Sequence, residues 1–114
     1  MLKYNQIVSV QPVTSDVFAA ISAPARRAIL ARLADGELPV QQIADSFSMT
    51  LPGVSQHLSV LRRAGLVSVR KDGKRRMYRL NAQPLKDVAT WVQEYEKFWT
   101  DKLATLGEYL KEKK

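Results

Sequence analysis

The sequence predicts a mainly α-helical chain with one small β-hairpin, and three observations predict it. Four stretches before Gly65 place apolar residues at steps of three and four, the period of a helix with one buried face. Between Leu66 and Leu80 the pattern changes to short strands around Asp72-Gly73, a strong hairpin-turn pair. After Asn81 helical spacing returns and holds to the end of the chain.

The first helix is expected over Asp16–Ser22, with Ser15 or Asp16 as its N-cap and Val17, Phe18 and Ile21 on its apolar side. Pro24 suits the first turn of the next helix, Ala25–Ala34, where a missing backbone N–H costs nothing. Ile29, Leu30 and Leu33 repeat there at helical spacing, and Asp35-Gly36 stops the run. A third helix spans Val40–Phe47 with Ile43, Ala44 and Phe47 facing inward, and Ser48-Met49 is a tight connection. Thr50 caps a fourth helix that reaches Arg63 or Ala64; Pro52 fits its first turn, and Gly65 is a natural left-handed stop.

Leu66, Val67 and Val69, then Met77, Tyr78 and Leu80, suit the two strands of the hairpin. Asn81 is expected to cap one long final helix with Pro84 in its first turn. Its apolar positions are Leu85, Val88, Val92, Tyr95, Trp99, Leu103, Leu106 and Leu110, a nearly pure heptad stripe that Trp91 and Phe98 widen.

A chain of 114 residues suits a single domain with a modest core. No apolar run approaches the roughly 20 residues that span a bilayer, and the start lacks the pattern of a secretory signal, so a cytoplasmic protein is expected. The absence of cysteine excludes disulfides, thiolate metal sites and a cysteine nucleophile. His57 is the one histidine, with no carboxylates near it in sequence, and no Gly-rich phosphate loop is present. Neither a metal, a cofactor nor catalysis is therefore expected.

The charge is concentrated. From Arg62 to Arg79 eight bases stand against a single acid, Asp72, a net +7 that equals the net charge of the whole chain. An excess confined to one hairpin, beside a helix of hydrogen-bonding residues, is a surface built for a polyanion. Helix, tight turn, helix and basic hairpin together hold a helix in a DNA major groove. The fourth helix meets both physical requirements. Val54, Leu58 and Leu61 give it a face to bury, while Ser55, Gln56 and Ser59 are short polar groups able to reach base edges. Gly53 allows close backbone approach, and Thr50 with the helix N-terminus can hold a phosphate. Lys74, Arg75 and Arg76, near the hairpin tip, can grip flanking phosphates or enter the minor groove.

These residues resemble the ArsR/SmtB family of winged-helix regulators. The likeness runs from about Val17 to Leu80 and rests on PARRAIL at 24–30, LPVQQIA at 38–44, LPGVSQHLSVLRRAGLV at 51–67 and RKDGKRRMYRL at 70–80. The resemblance implies a winged helix-turn-helix whose N- and C-terminal helices form a homodimer interface. It implies DNA contact by Thr50, Gly53, Ser55, Gln56, His57 and Ser59, and by Arg70, Lys74, Arg75 and Arg76 of the wing. Residues of about 14–82 would then be the DNA-binding core, and about 83–112 a dimerisation helix. The expected interface comprises Phe18, Ile21, Val88, Val92, Tyr95, Trp99, Leu103 and Leu106. The stretch WVQEYEKFWTDKLATLGEYL resembles a metal-independent branch, since the cysteine and histidine sensors of the founding members have no counterpart here.

Some roles have two readings in the sequence. His57 either contacts DNA or makes a structural hydrogen bond, and Arg26 either reaches a phosphate or pairs with an acid. The terminal aromatic residues are interface core or the lining of an apolar effector pocket. The expected function is a DNA-binding repressor acting as a homodimer on a near-palindromic operator. An activator, or a protein-interaction module on the same scaffold, is the alternative.

Overall fold

The structure is a computed structural model and describes residues 16–112. Its elements are α1 (Asp16–Ile21), α2 (Pro24–Leu33), β1 (Leu38–Pro39), α3 (Val40–Phe47), α4 (Leu51–Arg63), β2 (Val67–Asp72), β3 (Arg75–Leu80), α5 (Leu85–Gln93) and α6 (Glu96–Glu112). Helices α1 to α4 match their expected bounds within one residue. The proposed first cap at Ser15 lies outside the described residues. The core gathers Val17 and Ala20 of α1, the Ile29, Leu30 and Leu33 stripe of α2, Ile43 and Ala44 of α3, and Val54, Leu58 and Leu61 of α4. Leu66, Val67 and Tyr78 close it from the sheet side. Burying each large aliphatic side chain contributes about 1.5–3 kcal/mol, so the helical stripes of the sequence dictate how these four helices pack.

Local backbone bonds set the junctions. Helix α3 ends with Ser48 in the left-handed region at φ 53°, and the N–H of Met49 reaches back to Ala44 O at 3.0 Å. That reversal leaves three residues before α4 begins. Thr50 caps α4 as expected, its Oγ1 accepting from the Gly53 N–H at 3.1 Å. At the other end, Leu66 N–H donates to Leu61 O and Gly65 N–H to Arg62 O, both at 2.9 Å, with Gly65 at φ 78°. This is the Schellman ending that the glycine foretold.

The hairpin belongs to a three-stranded antiparallel sheet of order β1-β3-β2. Leu38-Pro39 supplies the strand that the sequence reading did not anticipate, Leu38 opposite Tyr78 and Pro39 opposite Met77. Two residues are too short to show alternation. The turn also sits one residue later than Asp72-Gly73: Asp72 pairs with Arg75, leaving Gly73-Lys74 as the central pair. Only Gly73 of these has positive φ, 68°, the pattern of a II′ turn.

Two expectations for the C-terminal region are corrected. Asn81 does not cap the helix that follows, because Pro84 occupies the N-cap of α5 without a side-chain bond. Asn81 instead ties the end of β3 to the end of α4: its Nδ2 donates to Gly65 O at 2.8 Å and its backbone N–H to Leu66 O at 2.7 Å. Nor is there one long final helix; it breaks at Glu94-Tyr95 into α5 and α6. Across the break Glu94, Tyr95 and Phe98 donate to the carbonyls three residues back, Trp91, Val92 and Tyr95, which tightens the turn. Packing accompanies the break: Tyr95 lies edge-on to Trp91 with centroids 5.4 Å apart, and Trp91 edge-on to Phe18 of α1 at 5.9 Å. Leu85 and Val88 fasten α5 to the core, whereas the α6 side chains are exposed from Glu96 to Lys111.

A hydrogen-bonded ion pair holds β2 of the hairpin partway along its length. Arg70 Nε donates to both carboxylate oxygens of Glu37 at 3.1 Å, and its Nη2 donates to Oε1. These bonds hold the Glu37 carboxyl below its ordinary range. The stabilisation is thus present at neutral pH and is lost as acid carries the solution down through the lowered value. Both groups are open to solvent, which screens the pair. Arg70→Ala should raise the Glu37 titration midpoint, followed by NMR of the carboxyl carbon, with only a small change in melting. An unmoved midpoint would show that the pair does not form in solution.

Candidate nucleic-acid interface

Burial of Val54, Leu58 and Leu61, at 0%, 1% and 0% exposure, fixes the rotation of α4 about its axis. The helical period then turns Ser55, Gln56, Ser59, Arg62 and Arg63 to solvent. Thr50 is exposed at the helix start and Gly53 half-buried beside it. A Cβ on Gly53 would lie 3.0 Å from Thr50 Oγ1, so the bare glycine also serves the cap, a structural reason for its presence next to the functional one.

The register of the hairpin sorts the basic residues onto two faces. Val67, Val69 and Lys71 stand opposite Leu80, Tyr78 and Arg76, and cross-strand partners share a face. This is the face that Val67 and Tyr78 turn to the core, so Lys71 and Arg76 extend it beyond the core on the side of α4. Arg70, Asp72, Arg75, Met77 and Arg79 occupy the opposite face, where Met77 alone is buried. There Arg70 is held by Glu37, and Arg75 Nη2 lies 3.7 Å from Asp72. The latter pair is exposed on both sides and contributes little. Lys74 stands in the turn itself.

Helix and hairpin meet in an open cleft of about 250 Å³ lined by Ser55, Leu58, Ser59, Arg62, Arg76 and Tyr78. It unites three of the expected residues, Ser55, Ser59 and Arg76, with Arg62 and Tyr78, which the sequence reading left out. The signal for Arg62 was available: positions 55, 59 and 62 step by four and three along one helical stripe. Thr50, Gly53 and Gln56 lie outside the cleft, toward the exposed start of α4. The cleft combines hydroxyl groups with two guanidinium groups, donors suited to phosphate oxygens and base edges.

Arg26 and His57 meet in a contact that neither sequence reading of Arg26 anticipated. Arg26 Nη1 lies 3.3 Å from His57 Nδ1, Nε donates to Ala20 O at 2.6 Å, and Nη2 donates to Ala19 O at 3.2 Å. Arg26 therefore joins the end of α1 to α4 and pairs with no acid among the described residues.

The remaining expected residues, those of the interface, fall into two groups. Ile21 and Val88 are partly buried against the core of their own subunit. Phe18, Tyr95, Trp99, Leu103 and Leu106 are 40–65% exposed, and Val92 is half-buried beside them. Trp91, Val92, Tyr95, Phe98 and Trp99 line an apolar hollow of about 480 Å³ where α5 meets α6. Among the described residues, no group of His, Asp or Glu side chains is placed to hold a metal ion.

Comparison with known proteins gives this geometry a family. Residues 21–70 match the family model described as a helix-turn-helix domain. The chain is 36% identical over 81 residues to the transcriptional repressor SdpR of Bacillus subtilis, an alignment covering 71% of this chain and 90% of that protein. It superposes on the crystal structure of an ArsR family transcriptional regulator with a TM-score of 0.66 at 31% identity, covering 75% of this chain and 94% of the other. It is also similar to the homodimeric winged helix-turn-helix DNA-binding domain Mb0332 of Mycobacterium bovis, with a TM-score of 0.64, 30% identity and coverage of 80% and 84%. With α3, the three-residue turn and α4 forming the helix-turn-helix, and β2 and β3 the wing, the chain belongs to the ArsR/SmtB family of winged helix-turn-helix transcriptional regulators.

Proposed function

We propose that this protein represses transcription by binding operator DNA as a homodimer, with α4 in the major groove and the wing over the neighbouring backbone. One observation carries the reading. The polar edge of the rigidly seated α4 and Arg76 of the wing share a single cleft, so one duplex can engage both. Thr50, Gly53, Ser55, Gln56, His57 and Ser59 face DNA from the helix, and Lys74, Arg75 and Arg76 from the wing. Arg70 contributes only where DNA competes with Glu37 for its guanidinium. The same reading makes the protein a cytoplasmic, non-catalytic regulator that needs no cofactor or thiolate metal sensor.

Residues of about 14–82 read DNA in this proposal, and α5 with α6 pairs the subunits. The apolar surface from Phe18 to Leu106 is larger than scattered single residues explain. Continuity with Phe18 on α1 makes one patch that a two-fold mate covers. Two-fold symmetry places the half-sites about one helical turn of DNA, or a multiple of it, apart.

Gln56→Ala should relax base preference at one position in each half-site, because a paired amide contact to adenine discriminates by about 1–3 kcal/mol. Its melting temperature should stay close to that of the parent. Selection of preferred sites from random duplexes checks this; an unchanged preference removes Gln56 from base reading. Replacing both Arg75 and Arg76 with Ala should weaken binding to every sequence and flatten the slope of log affinity against log salt by about 0.9 per lost phosphate contact. Fluorescence anisotropy over a salt series measures it, and an equal slope excludes phosphate contact. Failure of the parent to bind any duplex at low salt would overturn DNA binding itself.

Trp99→Glu places a charge in the centre of the proposed seam. It should convert the dimer to monomer in sedimentation velocity at micromolar concentration and abolish tight operator binding. A parent protein that sediments as a monomer yet binds its operator tightly refutes the dimer.

A further inference from the structure

Arg26 uses all three of its guanidinium nitrogens inside the protein. Nε and Nη2 are held by the carbonyls of Ala20 and Ala19 at 2.6 and 3.2 Å, which fixes the plane of the group, and Nη1 is aimed at His57 Nδ1 at 3.3 Å. A guanidinium has donors only and does not lose its proton in proteins. The bond therefore has one possible polarity: Nη1–H donates and Nδ1 accepts. Nδ1 must then carry no proton. In a neutral imidazole the proton sits on the other nitrogen, Nε2. His57 lies on the half-buried margin of α4, between the exposed Gln56 and the buried Leu58.

We propose that Arg26 is a positioning residue that fixes the hydrogen-bonding identity of His57, so that α4 offers DNA a neutral Nε2–H donor there instead of a second cation. A protonated imidazole would have to place an Nδ1–H against the Arg26 guanidinium, two donors and two positive charges face to face. A neutral donor still bonds to a phosphate oxygen or to a base acceptor. It adds direction without adding to the counterion release that makes binding salt-dependent. The contact with DNA rests on the function proposed above. The state of the imidazole does not, and the experiments separate the two.

The chain has a single histidine, so its ring nitrogens are read by long-range nitrogen–proton NMR without assignment ambiguity. In the parent protein at mildly alkaline pH, Nδ1 should show the shift of an unprotonated nitrogen and Nε2 that of a protonated one. In Arg26→Met the two shifts should move toward each other as the forms mix. A proton on Nδ1 in the parent overturns the proposal without need of any variant, and so do unmoved shifts in a folded Arg26→Met protein. For DNA, His57→Phe should lose roughly tenfold in affinity, the weight of one hydrogen bond to a charged acceptor, with an unchanged salt slope. His57→Gln, which keeps an N–H near the Nε2 position, should recover most of that loss. A slope lowered by about 0.9 would make His57 a cation, and unchanged affinity in His57→Phe would remove it from DNA; either overturns the donor role. If the parent protein binds no duplex, the DNA reading fails while the NMR result still decides what Arg26 does to the ring.

Discussion

Val54, Leu58 and Leu61 leave α4 one way to sit, and the rest of the molecule is arranged around that constraint. A helix that reads base edges must resist rotation about its own axis, because a small turn would move every polar side chain off its target. Burial of one stripe to at most 1% exposure supplies the resistance. The ends are fixed as well, by Thr50 at the start and by the Gly65 reversal at the finish. Asn81 then binds the reversal to the outgoing end of β3, so helix and wing share one rigid frame. The stripe of Ser55, Gln56 and Ser59 is free for recognition because packing and capping are handled by other residues.

Electrostatics in this frame divides into charges that are spent and charges that are kept. Arg70 is held by Glu37, Arg26 by backbone carbonyls and His57, and Arg75 lies near Asp72 at the tip. No ion pair is shown for Arg62, Lys71, Lys74 or Arg76 among the described residues, and the first and last of these flank the cleft with their charge uncompensated. A concentrated positive field of this kind attracts a polyanion before any specific contact forms. Specific contacts then sort sequences among those captured.

Much of this was legible in the sequence because it depends on local chemistry. The stripe in α4, the Thr50 cap, the Gly65 stop and the charge bias from Arg62 to Arg79 are each read within a few neighbouring residues. What escaped depends on contacts distant in sequence. Two-residue β1 has no pattern of its own and exists only because β3 lies beside it. Glu37 and Arg70, and Arg26 and His57, are more than thirty residues apart. The break at Glu94-Tyr95 contains neither proline nor glycine; its packing partner is the edge-on stack from Phe18 through Trp91 to Tyr95, which spacing alone cannot reveal. The place of Arg62 in the cleft was missed for a different reason, since a base in the last turn of a helix is already explained by the helix dipole.

The division between α5 and α6 has a thermodynamic consequence. Leu85 and Val88 give α5 a share in the core, but α6, with 17 residues, buries no side chain of its own subunit from Glu96 to Lys111. An isolated helix of that length is marginal in water. In the dimer proposed above its order comes from a second molecule, and order that comes from association obeys mass action. The chain therefore carries two stabilities of different kind. In that dimer, dilution withdraws order from α6 first, while the buried stripe of Val54, Leu58 and Leu61 still seats the recognition helix within its own subunit.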